Sequence, residues 1–409
     1  MTARLHRLAN GLTVAVDPMP GVETLAIGVY ADVGARFEPK RLGGLAHLVE
    51  HMVFKGAGAR DACGIAEAIE DVGGALNAWT GREQTAFHAR MLGPDMALGL
   101  DILADLIRDP RFDAAELERE KGVVLSELGE ARDTPDDIIF DHLGAAAFPD
   151  AALGRPVLGS EASIGVIARE DLGAWIADHY RPGALIVAAS GKVDENALLA
   201  QVEARFGDLV PAPKAVPEAA SFAGGVHRDT RRFDQVHLAF AYRGLPADHR
   251  DAHALAIFSQ AAGGGMSSRL FQQLREDRGL AYSIYSWTQG FADTGLFGVY
   301  CAASHSRAAE AQALALDVLN DAAENIGELE VARAKAQMKA GLLMGLESVQ
   351  ARADHAARMI QLRGRIVTPA ELTAEVDAVT LGDVRRVASA VLDGPRALAT
   401  VGGKLAKAA

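Results

Sequence analysis

GLAHLVEHMVFKG, residues 44–56, is the segment on which the interpretation of this sequence depends. Its apolar residues recur at helical spacing, and the lysine and glycine that follow them indicate the end of the helix. On such a helix His47 and His51 are four residues apart, so both imidazoles project from one face and can reach a single ion. Glu50 lies beside them. The segment therefore predicts a helix that carries a metal site.

A histidine pair needs a third ligand, because catalytic zinc sites usually take three protein ligands and leave the fourth position for water. Glu127, in the segment VVLSELGEA, is our candidate, since the long acidic helix predicted from Ala114 can lay one carboxylate against the histidines. Glu120 lies two turns earlier on the same face, where it can hydrogen-bond a histidine nitrogen. We expect one zinc ion per chain, although such a ligand set also accepts manganese or cobalt.

Strand and helix patterns alternate on both sides of this segment. Residues 12–36 predict two strands joined by a turn, and the segment ALIVAASGKV near residue 190 predicts a closing strand. Helices are predicted at 64–72 and 96–107.

The second half of the chain repeats this order of elements. ELEREKGVV at Glu116 has an echo in ELEVARAKA at Glu328, which suggests duplication of one domain. Three prolines in residues 209–221 indicate an extended linker between domains at 1–208 and 222–409. FSQAAGGG, residues 258–265, stands where HLVEH would fall and begins inside a helix predicted from about 253 to 262. The first domain is thus expected to bind metal and the second is not.

These segments together resemble the pitrilysin and insulinase peptidases, in the branch of the mitochondrial processing peptidase and its bacterial relatives. HLVEH matches their inverted HxxEH helix. NAWTGREQTAFHARML, from Asn77, is similar to the family's NAxTxxExTxY strand, and Glu127 and Glu120 fall at the positions of its third ligand and accessory acid. GGGMSSRLFQQLREDRGLAYSIYS is similar to the segment whose arginine and tyrosine, here Arg275 and Tyr282, hold the substrate backbone.

The resemblance implies an α+β fold of two homologous domains, each an antiparallel sheet packed with helices, as in LuxS-like and processing-peptidase-like metalloenzymes. It also implies that two such pairs close into a chamber. We therefore expect a homodimer, with a heterodimer containing a metal-free paralogue as the alternative. Arg275 and Tyr282 would then serve the partner's zinc. On spacing alone, a surface arginine on a helix and a core tyrosine in a strand would be the better interpretation of these two residues.

The expected activity is that of a zinc metalloendopeptidase acting on unstructured peptides inside the chamber. Glu50 would be the general base for the attacking water, and zinc with Tyr282 or Arg275 would stabilise the charged intermediate. The peptide would add as a strand along an edge that includes Asn77 and Ala78. The alternative is a non-catalytic or partner-dependent subunit of the same fold that binds peptides or acts as a scaffold.

Composition excludes several other classes of protein. A net charge of −13 argues against nucleic-acid binding, which needs clustered basic residues. The sequence predicts no membrane span, because no uninterrupted apolar run approaches about eighteen residues. Cys63 and Cys301 are too few for a disulfide framework, and we expect a cytoplasmic protein. GGGMSSRL lacks the lysine and spacing of a phosphate-binding P-loop.

Overall fold

The structure is a computed structural model that describes residues 3–403. The strands are β1 (Arg4–Arg7), β2 (Thr13–Pro18), β3 (Thr24–Ala31), β4 (Gly56–Ala57), β5 (Arg60–Asp61), β6 (Ala75–Thr80), β7 (Thr85–Leu92), β8 (Leu185–Gly191), β9 (Gly225–Asp229), β10 (Val236–Gly244), β11 (Ala281–Gly290), β12 (Gly295–Ala303) and β13 (Arg396–Val401).

The chain also contains fourteen α-helices within the described residues. They are α1 (Leu45–Val53), α2 (Ala62–Glu70), α3 (Met96–Arg108), α4 (Ala114–Asp133), α5 (Pro135–Ala147), α6 (Glu161–Val166), α7 (Arg169–His179), α8 (Glu195–Phe206), α9 (Ala252–Gly263), α10 (Ala308–Asn325), α11 (Glu328–Gly345), α12 (Val349–Arg363), α13 (Pro369–Ala378) and α14 (Leu381–Leu392). None of the helices in residues 3–403 is long and apolar enough to span a membrane.

These elements form two compact units. Unit 1 contains the chain up to Leu128, together with Pro156–Glu218 and Met344–Thr368. Unit 2 contains Gly129–Arg155, Ala219–Leu343 and the chain from Pro369.

The sheet of unit 1 has the strand order β1-β2-β8-β3-β7-β6. All neighbouring strands are antiparallel except β2 and β8, which are parallel. β8 lies between β2 and β3, so the two strands predicted in residues 12–36 do not pair with each other. Side chains alternate between two faces: Val14 and Ile27 belong to one apolar cluster, and Ala15 and Ala26 to another. The sheet is therefore covered on both faces.

The sheet of unit 2 repeats this topology. Its order is β11-β12-β10-β13-β9, with three antiparallel pairs followed by the parallel pair of β13 and β9. β6-β7-β3-β8-β2 in unit 1 shows the same sequence of pairings. The prediction of an α+β fold with two homologous domains is confirmed, with the detail that each sheet contains one parallel pair.

The compact units differ from the predicted contiguous domains in two segments. α5, from the first half of the sequence, packs on β9, β10 and β13 of unit 2. α12, from the second half, packs on β2, β3 and β8 of unit 1, which are the corresponding strands. Each sheet thus takes one covering helix from the other half of the sequence, because its second face would otherwise leave apolar residues in water.

The predicted linker, residues 209–221, lies in a stretch without helix or strand. Its first part is nevertheless fixed within unit 1, where Arg36 donates a hydrogen bond to the Glu218 carbonyl oxygen at 2.7 Å. Residues 1–2 and 404–409, at the outer ends of the predicted domains, lie outside the described residues. The assignment of metal binding to the first domain and substrate binding to the second stays a prediction.

Candidate metal centre

The helix α1 is fixed at its beginning by a buried carboxylate. Glu38 accepts hydrogen bonds from the backbone N–H groups of Gly44, at 2.9 Å, and Ala46, at 2.7 Å. These groups would otherwise have no partner at a helix N-terminus. Gly44 has φ +91°, and a Cβ atom there would lie 2.6 Å from Ile164 Cδ1. Only glycine fits this approach, so the start of the helix is fixed by Glu38 and by the close packing of Ile164.

The predicted metal ligands converge in unit 1. The ligand atoms of His47, His51 and Glu127 all lie within 4.8 Å of one another. Nε2 of His51 lies 3.6 Å from Glu127 Oε2, and Nε2 of His47 lies 3.9 Å from the same oxygen. Ligand atoms around a tetrahedral metal ion are separated by about 3.3 Å, since each lies about 2.0–2.2 Å from the ion. The three ligand atoms are therefore further apart than around a bound ion and must approach one another to hold one.

Glu120 and Lys55 hold the His51 ring through its Nδ1 atom. Glu120 Oε2 lies 3.1 Å from His51 Nδ1, and Glu120 Oε1 lies 2.8 Å from Lys55 Nζ. Because the Glu120 carboxylate can only accept, it selects the tautomer with hydrogen on Nδ1 and leaves the Nε2 lone pair for a metal. Glu120 is buried, so this contact is shielded from water.

His47 is prepared for the same role by its surroundings. Burial lowers the pKa of His47 to about 4, and the neighbouring His51 adds to this effect. The imidazole is therefore neutral at physiological pH, as a metal ligand must be. Its Nδ1 atom is buried and has no hydrogen-bond partner among residues 3–403.

Glu50 faces the strand β6. Burial raises the pKa of its carboxyl above the ordinary value, and the Thr80 hydroxyl and His51 oppose this shift. One carboxylate oxygen, Oε2, is buried without a hydrogen-bond partner in the described part of the chain. Polar atoms of this kind are costly in a protein interior unless a ligand or water satisfies them. A dehydrated carboxylate beside a metal site can act as a proton acceptor.

β6, which carries Asn77 and Ala78, is an edge strand. It pairs with β7 on one side and has no strand neighbour on the other in the six-stranded sheet. The Asn77 side chain accepts a hydrogen bond from the Ala78 N–H group at 2.9 Å. An open edge of this kind offers main-chain donors and acceptors to an added peptide strand.

Arg275 and Tyr282 lie together in unit 2, and the guanidinium carbon of Arg275 is 4.7 Å from the centre of the Tyr282 ring. The Tyr282 side chain is not a core residue, since it is 73% exposed. The alternative of a surface arginine and a core tyrosine thus fails for the tyrosine. Their function in binding substrate stays a prediction.

Sequence reasoning missed two residues of the site. Lys55 was interpreted only as a helix stop, although its position four residues after His51 places it near that side chain. Thr80 was included only as part of a strand. Its neighbourhood to Glu50 follows from the packing of α1 on β6, which no local pattern reveals.

The helix of unit 2 that corresponds to α1 carries no comparable group. Ser259 of α9 donates a hydrogen bond to Ser286 Oγ of β11 at 3.2 Å, and the surroundings are apolar. Within residues 3–403, the cluster of His47, His51 and Glu127 is the one group of three or more His, Cys, Asp or Glu side chains close enough to hold a metal ion.

Comparison with known families gives matches in both halves of the chain. Residues 13–161 match the model described as insulinase (peptidase family M16), and residues 167–338 match the model described as peptidase M16 inactive domain. The boundary between the matches separates the half that carries the cluster of His47, His51 and Glu127 from the half that does not.

Individual relatives match over nearly the whole chain. An uncharacterised zinc protease of Streptomyces coelicolor is 36% identical over 98% of this chain and 90% of its own length. A probable mitochondrial-processing peptidase subunit beta of Arabidopsis thaliana is 33% identical over 98% of this chain and 78% of its own length. A crystal structure from Pseudomonas fluorescens, described as a peptidase M16 inactive domain, has the same fold, with a TM-score of 0.92 at 20% identity over 100% of this chain and 99% of that one.

Proposed function

The chain belongs to the insulinase family of peptidases, M16, and on that premise we propose that it is a zinc-dependent metalloendopeptidase acting on unstructured peptides. The observation that carries the proposal is the convergence of His47, His51 and Glu127 within 4.8 Å. Zinc, one ion per chain, is supported by the nitrogen and carboxylate donors of this cluster and by the name of the Streptomyces relative.

The chemistry divides between the metal and Glu50. When bound, zinc supplies a Lewis acid that polarises the scissile carbonyl and acidifies water. Glu50 accepts the proton of the attacking water and passes it to the leaving amine. Its raised pKa suits this role, because a carboxylate with a higher pKa holds a proton more readily. Glu120 keeps His51 in the tautomer that can bind the metal.

The open edge of β6 selects the form of the substrate. A peptide that adds to this edge beside Asn77 and Ala78 must be extended and must expose its own main-chain groups. Folded proteins satisfy those groups internally. We therefore expect unstructured peptides to be cleaved much faster than folded proteins.

Metal content and peptide hydrolysis test the proposal. The purified chain should contain about one zinc and cleave an unstructured quenched peptide, with loss of activity on chelation. Glu50→Gln should retain the metal while hydrolysis falls about 10²- to 10⁴-fold, the usual contribution of general acid–base catalysis. Retained hydrolysis in this variant would remove Glu50 from the role of base.

A second pair of variants tests the third ligand. Glu127→Gln should lower zinc occupancy, because an amide is a poorer ligand than a carboxylate. Glu130→Gln, an exposed substitution one turn further along α4, is the matched control. Equal metal content in the two variants would mean that the third ligand is another residue.

We further propose a homodimer in which Arg275 and Tyr282 of one copy act at the zinc of the other. Coexpression of Glu50→Gln and Arg275→Ala chains should then restore about a quarter of wild-type activity, since half of the dimers are mixed and each has one complete site. Coexpression of Glu50→Gln with Glu127→Gln is the control, because both defects affect the same zinc site. No recovery in the first mixture would place Arg275 outside the partner's site.

The alternative is a subunit that needs a different partner protein. The Arabidopsis relative is named a subunit beta, and this name supports the alternative. Zinc binding without hydrolysis by the purified chain would support it over the homodimer.

We also propose a cytoplasmic location. Both cysteines are free, and the exposed Cys63 has no disulfide partner. Fractionation of the producing cells tests this, and recovery with the extracytoplasmic fraction would contradict it.

A further inference from the structure

The guanidinium group of Arg275 lies close to two aromatic rings. Its carbon is 4.6 Å from the centre of the Phe271 ring and 4.7 Å from the centre of the Tyr282 ring. Distances below about 6 Å are those of favourable cation–π contacts. The sequence predicted that Arg275 and Tyr282 act together. It did not point to Phe271.

A π-helical turn brings Phe271 and Arg275 to the same side. The segment Phe271–Glu276 is π-helical, and the Asp277 N–H group donates to the Gln272 carbonyl oxygen five residues earlier, at 2.8 Å. Such turns are rare and occur often at functional sites. Leu274, within the turn, belongs to the core of unit 2 and anchors it.

Phe271 itself does not belong to that core. Leu270 and Leu274 are buried members of the core cluster, whereas Phe271 is half-buried and absent from it. The ring therefore contributes little to the packing of unit 2. Its ring makes a cation–π contact with the Arg275 guanidinium.

The two rings lie close to the guanidinium, and no carboxylate in the described chain lies within hydrogen-bond distance of its N–H donors. The nearest carboxylate oxygen paired with Arg275 in the described chain is Glu276 Oε1, at 3.6 Å from Nε, which is beyond hydrogen-bond distance. The guanidinium has five N–H donors, and all of them lie in its plane. The two cation–π contacts thus restrict the guanidinium, while its donors stay free to bind a peptide carbonyl or carboxylate.

We propose that Phe271 is a positioning residue, which holds Arg275 against Tyr282 so that the pair binds the backbone of an extended peptide in one orientation. This inference rests on the proposed peptidase function. The Arg275 side chain has many rotamers in water, and restricting them before the substrate arrives lowers the entropic cost of binding.

Three variants separate this role from simple packing. Phe271→Leu removes the ring but keeps an apolar side chain, whereas Phe271→Tyr keeps the ring. Phe233→Leu is the matched control, because Phe233 is also half-buried and lies 5.4 Å from the guanidinium carbon of another arginine, Arg231. Phe271→Leu should lower kcat/KM about two- to thirty-fold, the range of one cation–π contact, with the change mainly in KM. Phe271→Tyr and Phe233→Leu should resemble wild type in kcat/KM. Zinc content should be unchanged in all three variants, and Tm in the two Phe271 variants.

A double substitution tests whether Phe271 acts through Arg275. In an Arg275→Ala background, Phe271→Leu should cause no further loss of kcat/KM, because the group that it positions is absent. Losses that multiply would show that Phe271 acts independently and would overturn the inference. Equal activity of Phe271→Leu and wild type would also overturn it.

A readout without hydrolysis keeps the inference distinct from the proposed function. In ¹⁵N-arginine spectra, the Nε–Hε signal of Arg275, assigned with Arg275→Lys, should be shifted by the ring currents of its two neighbours. Phe271→Leu should move this signal toward the position of a free arginine, and Phe271→Tyr should not. An unmoved signal overturns the positioning role whatever the activity. Absence of hydrolysis by wild type, with the expected signals, contradicts the peptidase proposal alone.

Discussion

At the scale of single residues, the candidate metal site depends on a charge that lies two contacts away from His51. Lys55 Nζ holds Glu120, which in turn holds Nδ1 of His51. Glu120 is buried, and a buried carboxylate without a counter-ion would become protonated or turn toward water. Lys55 therefore stabilises the anion that orients His51.

Lys55→Met should weaken zinc binding about three- to tenfold, somewhat less than the 10- to 100-fold cost typical of losing a direct partner of a ligand. A competition titration with a chromogenic chelator measures this affinity. Lys55→Arg, which keeps the charge, should bind zinc nearly as tightly as wild type. Lys121→Met is the matched control. Lys121 lies in α4 next to Glu120, but it pairs with Glu118 and not with Glu120. Equal affinities for Lys55→Met and Lys121→Met would contradict the role of Lys55.

The protonation of His47 gives a prediction about pH. Burial, assisted by the neighbouring His51, lowers the pKa of His47 from 6.5 to about 4. Between these values the unfolded chain binds a proton at His47 that the folded chain does not. The stability of the metal-free fold should therefore fall, through this group, as the pH is lowered from 6.5 to about 4.

The measurement is ¹⁵N-histidine NMR of the chelator-treated chain, with His47→Asn for assignment. At about pH 5.5 an ordinary histidine is mostly protonated, whereas His47 should still give the signals of a neutral imidazole. A titration midpoint near 6.5 for His47 would show that water reaches the ring and would remove the burial effect.

At the scale of elements, α1 depends on an acceptor that lies outside the helix. Glu38 binds the N–H groups of Gly44 and Ala46 at its N-terminus. The favourable interaction of a carboxylate with the helix dipole adds to these bonds. Because both histidines and Glu50 project from this helix, its stability and the geometry of the metal site are coupled.

Glu38→Ala should lower the free energy of unfolding by about 1–2 kcal/mol, since it removes the capping acceptor and leaves buried N–H groups without a partner. Denaturant unfolding of the metal-free chain measures this change. Glu38→Gln keeps an acceptor oxygen and should cost less. Hydrogen exchange at the first turn of α1 should accelerate more in Glu38→Ala than in Glu38→Gln, and equal protection in the two would contradict the capping role.

At the scale of the whole molecule, the exchange of α5 and α12 makes each compact unit depend on both halves of the sequence. Ala353, Ala356, Ala357 and Ile360 of α12 cover one face of the unit 1 sheet. Arg352 pairs with the buried Asp17 at 2.6 Å, and Asp354 accepts a hydrogen bond from the Tyr30 hydroxyl at 2.6 Å. A chain cut at the linker loses these contacts.

A fragment of residues 1–218 should therefore not unfold cooperatively, and it should bind a hydrophobic dye, because an apolar sheet face and Asp17 are left uncovered. Coexpression with residues 219–409 should restore a soluble complex that unfolds cooperatively. Arg352→Ala in the second fragment should weaken the complex, whereas substitution of the exposed Arg250 should not. Cooperative unfolding of residues 1–218 alone would show that α12 is dispensable.

The sequence by itself determined what depends on neighbouring residues. The helix predicted at 44–54 is observed at Leu45–Val53, and the one predicted at 96–107 at Met96–Arg108. Apolar periodicity sets such bounds. The common face of His47, Glu50 and His51 follows in the same way, because four residues make about one turn of any α-helix.

Only the tertiary structure decided which distant segments meet. Glu127 is 76 residues beyond His51, and its approach to within 3.6 Å depends on how α4 packs in unit 1. The placement of α12, a helix from the second half of the sequence, on the sheet of unit 1 is likewise a matter of packing, because its apolar residues do not by themselves specify which sheet they cover. Periodicity shows that a helix face must be buried. The shape and charge of the surrounding elements determine which element covers that face.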